Sequence, residues 1–137
     1  MALSYLADTS VLTRLAVPQV RDALQQLLGS AAIARSTMTE LELGFSARNA
    51  AEWDRIRAAA GAFLHVEVTE EDFRRAGQVQ RLLAVAGLKG RKVPDLLIAA
   101  AAERTRLAVL HYDRDFEHIA HLTGQAHQWI VPPGTVD

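Results

Sequence analysis

The chain has 137 residues, of which 50% are hydrophobic and 23% are charged, and its formal net charge at pH 7 is -1. This length and balance favour one globular domain over residues 1–137, and the near-neutral charge does not by itself indicate a nucleic-acid-binding protein. The absence of cysteine excludes disulfides, thiolate chemistry and cysteine zinc sites, and fits a cytoplasmic protein. The longest apolar run, residues 96–102, is far shorter than the roughly 20 residues that span a bilayer, so no membrane association is expected.

The chain begins with a pattern typical of a strand followed by a helix. Residues 3–7 predict a strand, and Asp8 follows its C-terminal end. Ser10 is suited to capping the next helix. Pro18 then opens a second helical segment, which Gly29 ends.

The middle of the chain predicts two more strands, over residues 31–34 and 63–68. A helix follows the first of them, where Thr37 and Glu40 match the spacing of a capping box. Further helices are predicted over residues 50–60 and from Thr69 to about residue 86, after the second of these strands.

The last third contains the least interrupted apolar sequence. Pro94 and Asp95 suit the first turn of a helix whose residues 96–102 are all apolar, so this helix should be buried nearly all round. A buried strand over residues 107–110 follows, with Asp113 just beyond it. The remaining elements are a short helix over residues 116–122 and a strand over residues 128–131.

Strands that alternate with helices predict a parallel sheet covered on both faces. We therefore expect a single α/β domain with three layers (α/β/α) around a central, mostly parallel sheet.

Four acids fall where such a sheet would bring them to one rim: Asp8, Glu40, Asp95 and Asp113. Each alone has an ordinary interpretation as a turn, capping or first-turn residue. Together they would repel one another strongly unless a cation or protons neutralised them. Carboxylates without histidine or cysteine partners suit Mg²⁺ or Mn²⁺, and such ions support phosphodiester cleavage.

The order of these motifs resembles a PIN domain, and more narrowly the VapC ribonuclease toxins of bacterial toxin–antitoxin pairs. The similarity covers essentially the whole chain. Its motifs are Asp8-Thr-Ser10 after a strand, Thr39-Glu40 at a helix start, Pro94-Asp95-Leu-Leu-Ile-Ala, and Tyr112-Asp113-Arg-Asp115-Phe116.

The resemblance implies a metal-dependent endoribonuclease in which Asp8, Glu40, Asp95 and Asp113 hold one or two Mg²⁺ or Mn²⁺ ions, with Ser10 as a supporting residue. It implies cleavage of tRNA or ribosomal RNA that stops translation. It also implies a homodimer, and inhibition by a small cognate antitoxin that occupies the active-site groove.

Two neighbours of the fourth acid have open roles. The family often has threonine at the position of His111, which either hydrogen-bonds a phosphate or a water on the metal, or faces solvent at the strand end. Asp115 either contacts the metal through a water or caps the helix that follows.

Basic residues near the acids are candidates for contacts with RNA phosphates, and a solvated charged surface is the alternative. They are Arg14, Lys89, Arg91, Lys92 and Arg114. The glycine-containing loop over residues 87–92 has the spacing of a KH-type loop, but its surroundings do not match that module.

Other functions compete with the ribonuclease interpretation. A receiver-like or phosphatase-like signalling domain would also use Asp8, but each needs a second acid that Thr9 and Ser10 do not provide. His118 and His121 have a spacing that can bind metal, but a solvated helix face is favoured because no third ligand is near. Aromatic residues in the first half, Phe45 and Trp53, either pack between helices or form a partner surface.

Overall fold

A computed structural model describes residues 3–88 and 92–137 of the chain. Within these residues it has five strands, which are β1 (Leu3–Ala7), β2 (Ala32–Ser36), β3 (Leu64–Val66), β4 (Ala108–His111) and β5 (His127–Trp129). The helices of the same residues are α1 (Thr9–Leu12), α2 (Pro18–Leu28), α3 (Thr37–Phe45), α4 (Ala50–Ala60), α5 (Glu70–Val85), α6 (Val93–Thr105) and α7 (Asp115–Thr123).

The strands form one sheet in the order β3-β2-β1-β4-β5, and all neighbouring pairs are parallel. The chain moves from β1 toward one edge through β2 and β3, and later returns to the other side of β1 through β4 and β5. The carboxyl ends of β1 and β4 therefore flank the point at which the strand order reverses. In open α/β sheets ligands bind in the crevice at such a point.

Helices cover both faces of the sheet, which confirms the predicted three-layer α/β/α architecture. Successive strand residues point to opposite faces, so Leu6 and Val109 pack into one apolar cluster while Ala7 and Leu110 pack into another. Residues 96–102 of α6 are all buried, which explains their unbroken apolar sequence. None of the helices in residues 3–88 and 92–137 combines the length and apolar character required to cross a bilayer.

Two helix starts differ from the sequence prediction. The side chain of Asp8, rather than that of Ser10, caps α1. Ser36 caps α3 by accepting the Thr39 backbone N–H at 3.1 Å, so the predicted Thr37–Glu40 capping box does not form. Because neither Ser10 nor Glu40 caps a helix, both side chains contact other parts of the fold.

Candidate active site

A cleft of about 450 Å³ opens at the carboxyl ends of β1 and β4. It is polar, and α1, α3 and the first turn of α6 complete its walls. Its lining residues are Asp8, Thr9, Ser10, Thr13, Arg14, Glu42, Lys92, Asp95, Tyr112, Asp113 and Arg114.

Asp8 is fixed at the floor of the cleft by the end of β1. Its backbone N–H donates to the Leu110 carbonyl at 2.8 Å, and its Oδ2 accepts the Ser10 backbone N–H at 3.0 Å. Its Oδ1 is buried and accepts no hydrogen bond from the described residues. Burial, opposed by the Ser10 hydrogen bond, raises the pKa of Asp8 to about 6.

Asp95 faces Asp8 from the first turn of α6 and is 3% exposed. Its Oδ2 is likewise buried without a hydrogen-bond donor among the described residues. Burial, together with the nearby charges of Asp8 and Asp113, raises the pKa of Asp95 to about 9. Two buried carboxylate oxygens that have no donor within residues 3–88 and 92–137 thus belong to one cleft, an arrangement that is costly unless a cation or proton occupies it.

Asp113 and Asp115 complete a cluster with Asp95, because one carboxylate oxygen of each lies within 4.8 Å of the other two. The Oδ1 of Asp113 accepts the Asp115 backbone N–H at 2.9 Å, and its Oδ2 lies 2.8 Å from the Nζ of Lys92. Burial raises the pKa of Asp113, but the hydrogen bonds from Lys92 and from the Asp115 backbone outweigh it, so the net shift is downward. Asp115 is therefore near enough for an indirect role, and Asp113 rather than Asp115 supports the turn before α7.

Glu40 does not line the cleft, contrary to the expectation from the sequence. Its carboxylate lies 2.7 Å from the Nη1 of Arg57, and 3.4 Å from both the Nε of Arg35 and the Nε2 of His65. The Glu40 side chain is therefore neutralised in a structural ion-pair cluster at the ends of β2 and β3.

Glu42 occupies the place that the sequence analysis gave to Glu40. Its Oε1 accepts the Thr9 hydroxyl at 2.6 Å, and its charge contributes to the raised pKa of Asp8. The hydroxyl oxygens of Thr9 and Thr39 are 3.1 Å apart, so α1 and the start of α3 are joined beside this carboxylate.

Helix geometry explains the exchange of Glu40 and Glu42. Residues two apart on an α-helix are separated by about 200°, so only one of the two can face the cleft. The apolar pattern does not identify which one, because Leu41 and Phe45 of the same helix are 59% and 90% exposed. The signal available in the sequence was only that a second acid stood two residues away.

His111 has neither of the roles considered for it. It is fully buried, with its ring 4.9 to 5.1 Å from the rings of Phe116, His127 and Trp129. Its Nδ1 accepts the Asp113 backbone N–H at 3.1 Å, and its Nε2 lies 2.9 Å from the Nδ1 of His127. Burial, and to a lesser extent the charge of the neighbouring His127, lowers the pKa of His111 to about 4, so the ring is neutral at pH 7.

Ser10 joins the two strand ends beneath the cleft, because its hydroxyl accepts the Tyr112 backbone N–H at 2.8 Å. Arg14 also lines the cleft, with its guanidinium 5.0 Å from the centre of the Tyr112 ring and its Nη1 2.8 Å from the Ser10 carbonyl oxygen. These contacts hold Arg14 over the wall of the cleft rather than leaving it free in solvent.

Three of the five predicted phosphate-binding cations line the cleft, namely Arg14, Lys92 and Arg114. The other two, Lys89 and Arg91, lie outside the described residues. A positive rim around an acidic floor is suited to a polyanion that must approach a metal.

The secondary candidates lie away from the cleft. His118 and His121 belong to no cluster of three metal-ligating side chains within residues 3–88 and 92–137. Trp53 packs beside Gly44 and under the guanidinium of Arg57, whose carbon is 4.6 Å from its ring centre. Phe45 is exposed to solvent.

The donor set fits a hard divalent cation. The anionic groups that line the cleft are four carboxylates, and two of their oxygens are buried without donors among the described residues. Mg²⁺ and Mn²⁺ prefer such ligands, and would replace the proton that burial and neighbouring charges otherwise hold on Asp95 at neutral pH.

Comparison with known proteins identifies the family. The family model described as "PIN domain" matches residues 5–122. Over 137 residues the chain is 56% identical to Ribonuclease VapC51 of Mycobacterium tuberculosis, with 100% of both chains covered. The chain belongs to the VapC family of PIN-domain proteins. It is also 38% identical to Ribonuclease VapC21 of the same organism, covering 98% of this chain and 99% of that one.

Solved VapC-family structures share the fold at low sequence identity. The structure of VapBC-1 from nontypeable Haemophilus influenzae superposes with a TM-score of 0.74 at 20% identity, covering 95% of this chain and 98% of the other. The resemblance to VapC-type PIN domains that was inferred from the four motifs is thus confirmed. Membership of the family also sets aside the receiver-like and phosphatase-like alternatives.

Proposed function

We propose that this chain is a metal-dependent endoribonuclease and the toxin of a toxin–antitoxin pair. The observation that carries the proposal is the meeting of Asp8, Glu42, Asp95 and Asp113 in one cleft, with two buried carboxylate oxygens that lack donors within the described residues. Its relatives named as ribonucleases support the substrate class. The proposal treats residues 1–137 as one PIN-like domain.

Each acid has a distinct part in holding Mg²⁺ or Mn²⁺. Asp8 and Asp95 contribute the two buried oxygens that have no donor among the described residues, while Asp113 and Glu42 contribute from the end of β4 and from α3. Asp115 acts through a water. When bound, the cation supplies Lewis-acid stabilisation of charge on a phosphodiester and lowers the pKa of an attacking water.

The cations at the rim bind the RNA backbone. Arg14, Lys92 and Arg114 lie beside the acids, where they contact phosphates on either side of the bond that is cut. Phosphate contacts position a nucleic acid without reading its sequence, so the choice of tRNA or ribosomal RNA depends on other surfaces. Cleavage of either would inhibit translation and would place the chain in the cytoplasm.

RNA cleavage by purified protein tests the proposal. The wild-type chain should cut total RNA with Mg²⁺ or Mn²⁺ and stop when both are chelated, while Asp95→Asn should not cut. Asp54→Asn, an exposed acid on α4, is the matched control and should cut normally. Intact RNA with wild-type protein and either ion, or undiminished cleavage by a folded Asp95→Asn variant, would contradict the proposal.

An apolar groove between α1, α3 and α4 is suited to the antitoxin. Its cavity of about 180 Å³ is lined by Leu12, Leu15, Leu43, Ile56 and Phe63 together with two alanines. An amphipathic segment buries its apolar face in such a groove. We expect Ile56→Asp to abolish capture of the neighbouring reading frame's product in co-expression, and Asp54→Asn, on the same helix, to leave it intact.

The outer face of α3 is suited to homodimerisation. Phe45 is 90% exposed and Leu41 is 59% exposed, and both border a cavity that also includes Glu42. Aromatic residues are enriched in the cores of protein interfaces. Light scattering should give a dimer for wild type and a monomer for Phe45→Ser, whereas Phe73→Ser, at a 60% exposed phenylalanine on α5, should remain a dimer.

A further inference from the structure

His111 is buried beside the candidate site, yet its side chain does not line the cleft. It ends β4, and aromatic rings surround its imidazole. Both ring nitrogens have partners, the Asp113 backbone N–H on Nδ1 and His127 on Nε2. A side chain arranged in this way can act on the site only through the residues that it holds.

The hydrogen bonds determine the tautomer. A backbone N–H can only donate, so the Nδ1 of His111 must be the unprotonated acceptor of the Asp113 N–H. The ring proton then lies on Nε2 and is donated to the Nδ1 of His127 at 2.9 Å. His127 therefore orients the ring, and the ring presents a fixed acceptor to the turn after β4.

This acceptor determines where the Asp113 carboxylate points. A side chain that accepts the N–H two residues later closes a compact turn of the Asx or Ser/Thr type. A second turn of this kind follows directly, over residues 113–115, because the Oδ1 of Asp113 accepts the Asp115 N–H at 2.9 Å. With the backbone of Asp113 fixed on one side and its carboxylate on the other, Oδ2 is left to face the cleft.

We propose that His111 is a positioning residue for Asp113, whose Nδ1 fixes the Asp113 backbone and thereby aims its carboxylate at the cation. The inference rests on the proposed function in one respect, that Asp113 is a metal ligand. Outer residues that orient metal ligands typically contribute about 10- to 100-fold to metal affinity.

Two substitutions by amide side chains test the hydrogen bonds of the two ring nitrogens separately. In His111→Asn the side-chain oxygen replaces the Nδ1 acceptor and the contact with His127 is lost. In His111→Gln the amide nitrogen replaces the Nε2 donor and the acceptor for Asp113 is lost. Calorimetric titration with Mn²⁺ should give nearly wild-type affinity for His111→Asn and an affinity at least about 10-fold weaker for His111→Gln.

A purely structural role predicts a different result. Both variants disturb the same buried aromatic cluster, so both should lose thermal stability, and a packing role would change their Mn²⁺ affinities in parallel with that loss. Equal Mn²⁺ affinities for the two folded variants would therefore overturn the proposal.

NMR on the metal-free protein supplies a readout that is independent of metal binding. Nitrogen-15 spectra should place the His111 proton on Nε2, and the Asp113 amide should exchange slowly in wild type and His111→Asn but rapidly in His111→Gln. A proton on Nδ1, or equal exchange in both variants, would overturn the positioning role. A wild-type chain that binds no Mn²⁺ but shows these NMR results would overturn the proposed function instead.

Discussion

The carboxylates of Glu40 and Glu42, two residues apart on α3, lie in different parts of the molecule. Glu42 accepts the Thr9 hydroxyl at 2.6 Å inside the cleft, whereas Glu40 lies 2.7 Å from the guanidinium of Arg57 outside it. Glu42 thus lines the proposed active site, whereas Glu40 belongs to an ion-pair cluster outside it.

This separation predicts opposite effects of two matched substitutions. Glu42→Gln should lower metal-dependent RNA cleavage by about 100-fold or more, the effect of removing a group that stabilises transition-state charge, and leave stability nearly unchanged. Glu40→Gln should keep cleavage within about threefold of wild type, a difference below about 1 kcal/mol. It should instead lower the free energy of unfolding by about 1–3 kcal/mol, the cost of leaving a buried polar group without its partner, because Arg35 is largely buried while Arg57 is partly exposed.

Cleavage assays and urea unfolding of both variants make the comparison. The reverse pattern, with cleavage lost in Glu40→Gln and retained in Glu42→Gln, would restore Glu40 to the site and remove Glu42.

We expect the ammonium group of Lys92 to compete with the metal ion for the acids of the cleft. Its Nζ lies 2.8 Å from Asp113 and 3.8 Å from Asp95, so a cation bound by these acids must compete with it. Lys92→Met should therefore tighten Mn²⁺ binding by about fivefold, which corresponds to the roughly 1 kcal/mol of an exposed ion pair. The same variant should bind RNA more weakly, because it lacks a phosphate contact.

Calorimetry with Mn²⁺ measures the first effect, and RNA binding in chelator measures the second. Arg74→Met removes a cation that pairs with Glu70 on α5, outside the cleft, and should change neither quantity. Weaker Mn²⁺ binding by Lys92→Met would show that the ammonium assists the cation instead of competing with it.

Because the pKa of Asp95 is raised, we expect the metal-free protein to lose stability as the pH rises from about 6.5 to 9. The pKa of Asp95 is raised from 3.8 to about 9, so in this window the folded chain holds a proton that the unfolded chain has released. The free energy of unfolding should therefore fall by up to about 1.4 kcal/mol per pH unit. The other large shifts act at lower pH, because the pKa of Asp8 is about 6 and that of His111 about 4 in the fold.

Urea unfolding in chelator at pH 6.5, 7.5 and 8.5 measures this slope. Asp95→Asn should remove it and make the metal-free protein more stable than wild type at pH 8.5, whereas Asp54→Asn should keep it. A wild-type slope of zero would mean that Asp95 is ionised without a cation.

Gly44 of α3 lies so close to Trp53 of α4 that there is no room for a larger side chain. A Cβ at this position would lie 2.7 Å from the indole nitrogen of Trp53, whose ring also packs on Arg57. Gly44→Ala should destabilise the chain by about 1–3 kcal/mol through overpacking and shift the tryptophan fluorescence. Gly77→Ala, within α5 and with nothing within 4 Å of its Cβ, should stabilise by about 0.5–1 kcal/mol.

Much of the candidate site could be predicted from the sequence, because its acids stand at strand ends and in a first helical turn, which local sequence patterns identify. Asp8 and Asp113 follow buried strands, and Asp95 stands in a first helical turn, so the alternation of strands and helices alone brings them to one rim. Glu42 did not follow from such rules. Its selection over Glu40 depends on the rotation of α3 and on arginines from β2 and α4 that neutralise the other acid.

By itself the sequence determined the three-layer fold, the parallel sheet and the position of three of the four acids that line the cleft, because hydrophobic periodicity and strand ends are local properties of the chain. Tertiary structure alone decided which glutamate of α3 lines the cleft, and that His111 is buried. The placement of β5 beside β4 brings His127 and Trp129 onto His111 and buries a residue that sequence position would leave at an exposed strand end. Burial and charge partners come from chain segments distant in sequence, and they decide whether an ionisable side chain serves the site or the fold.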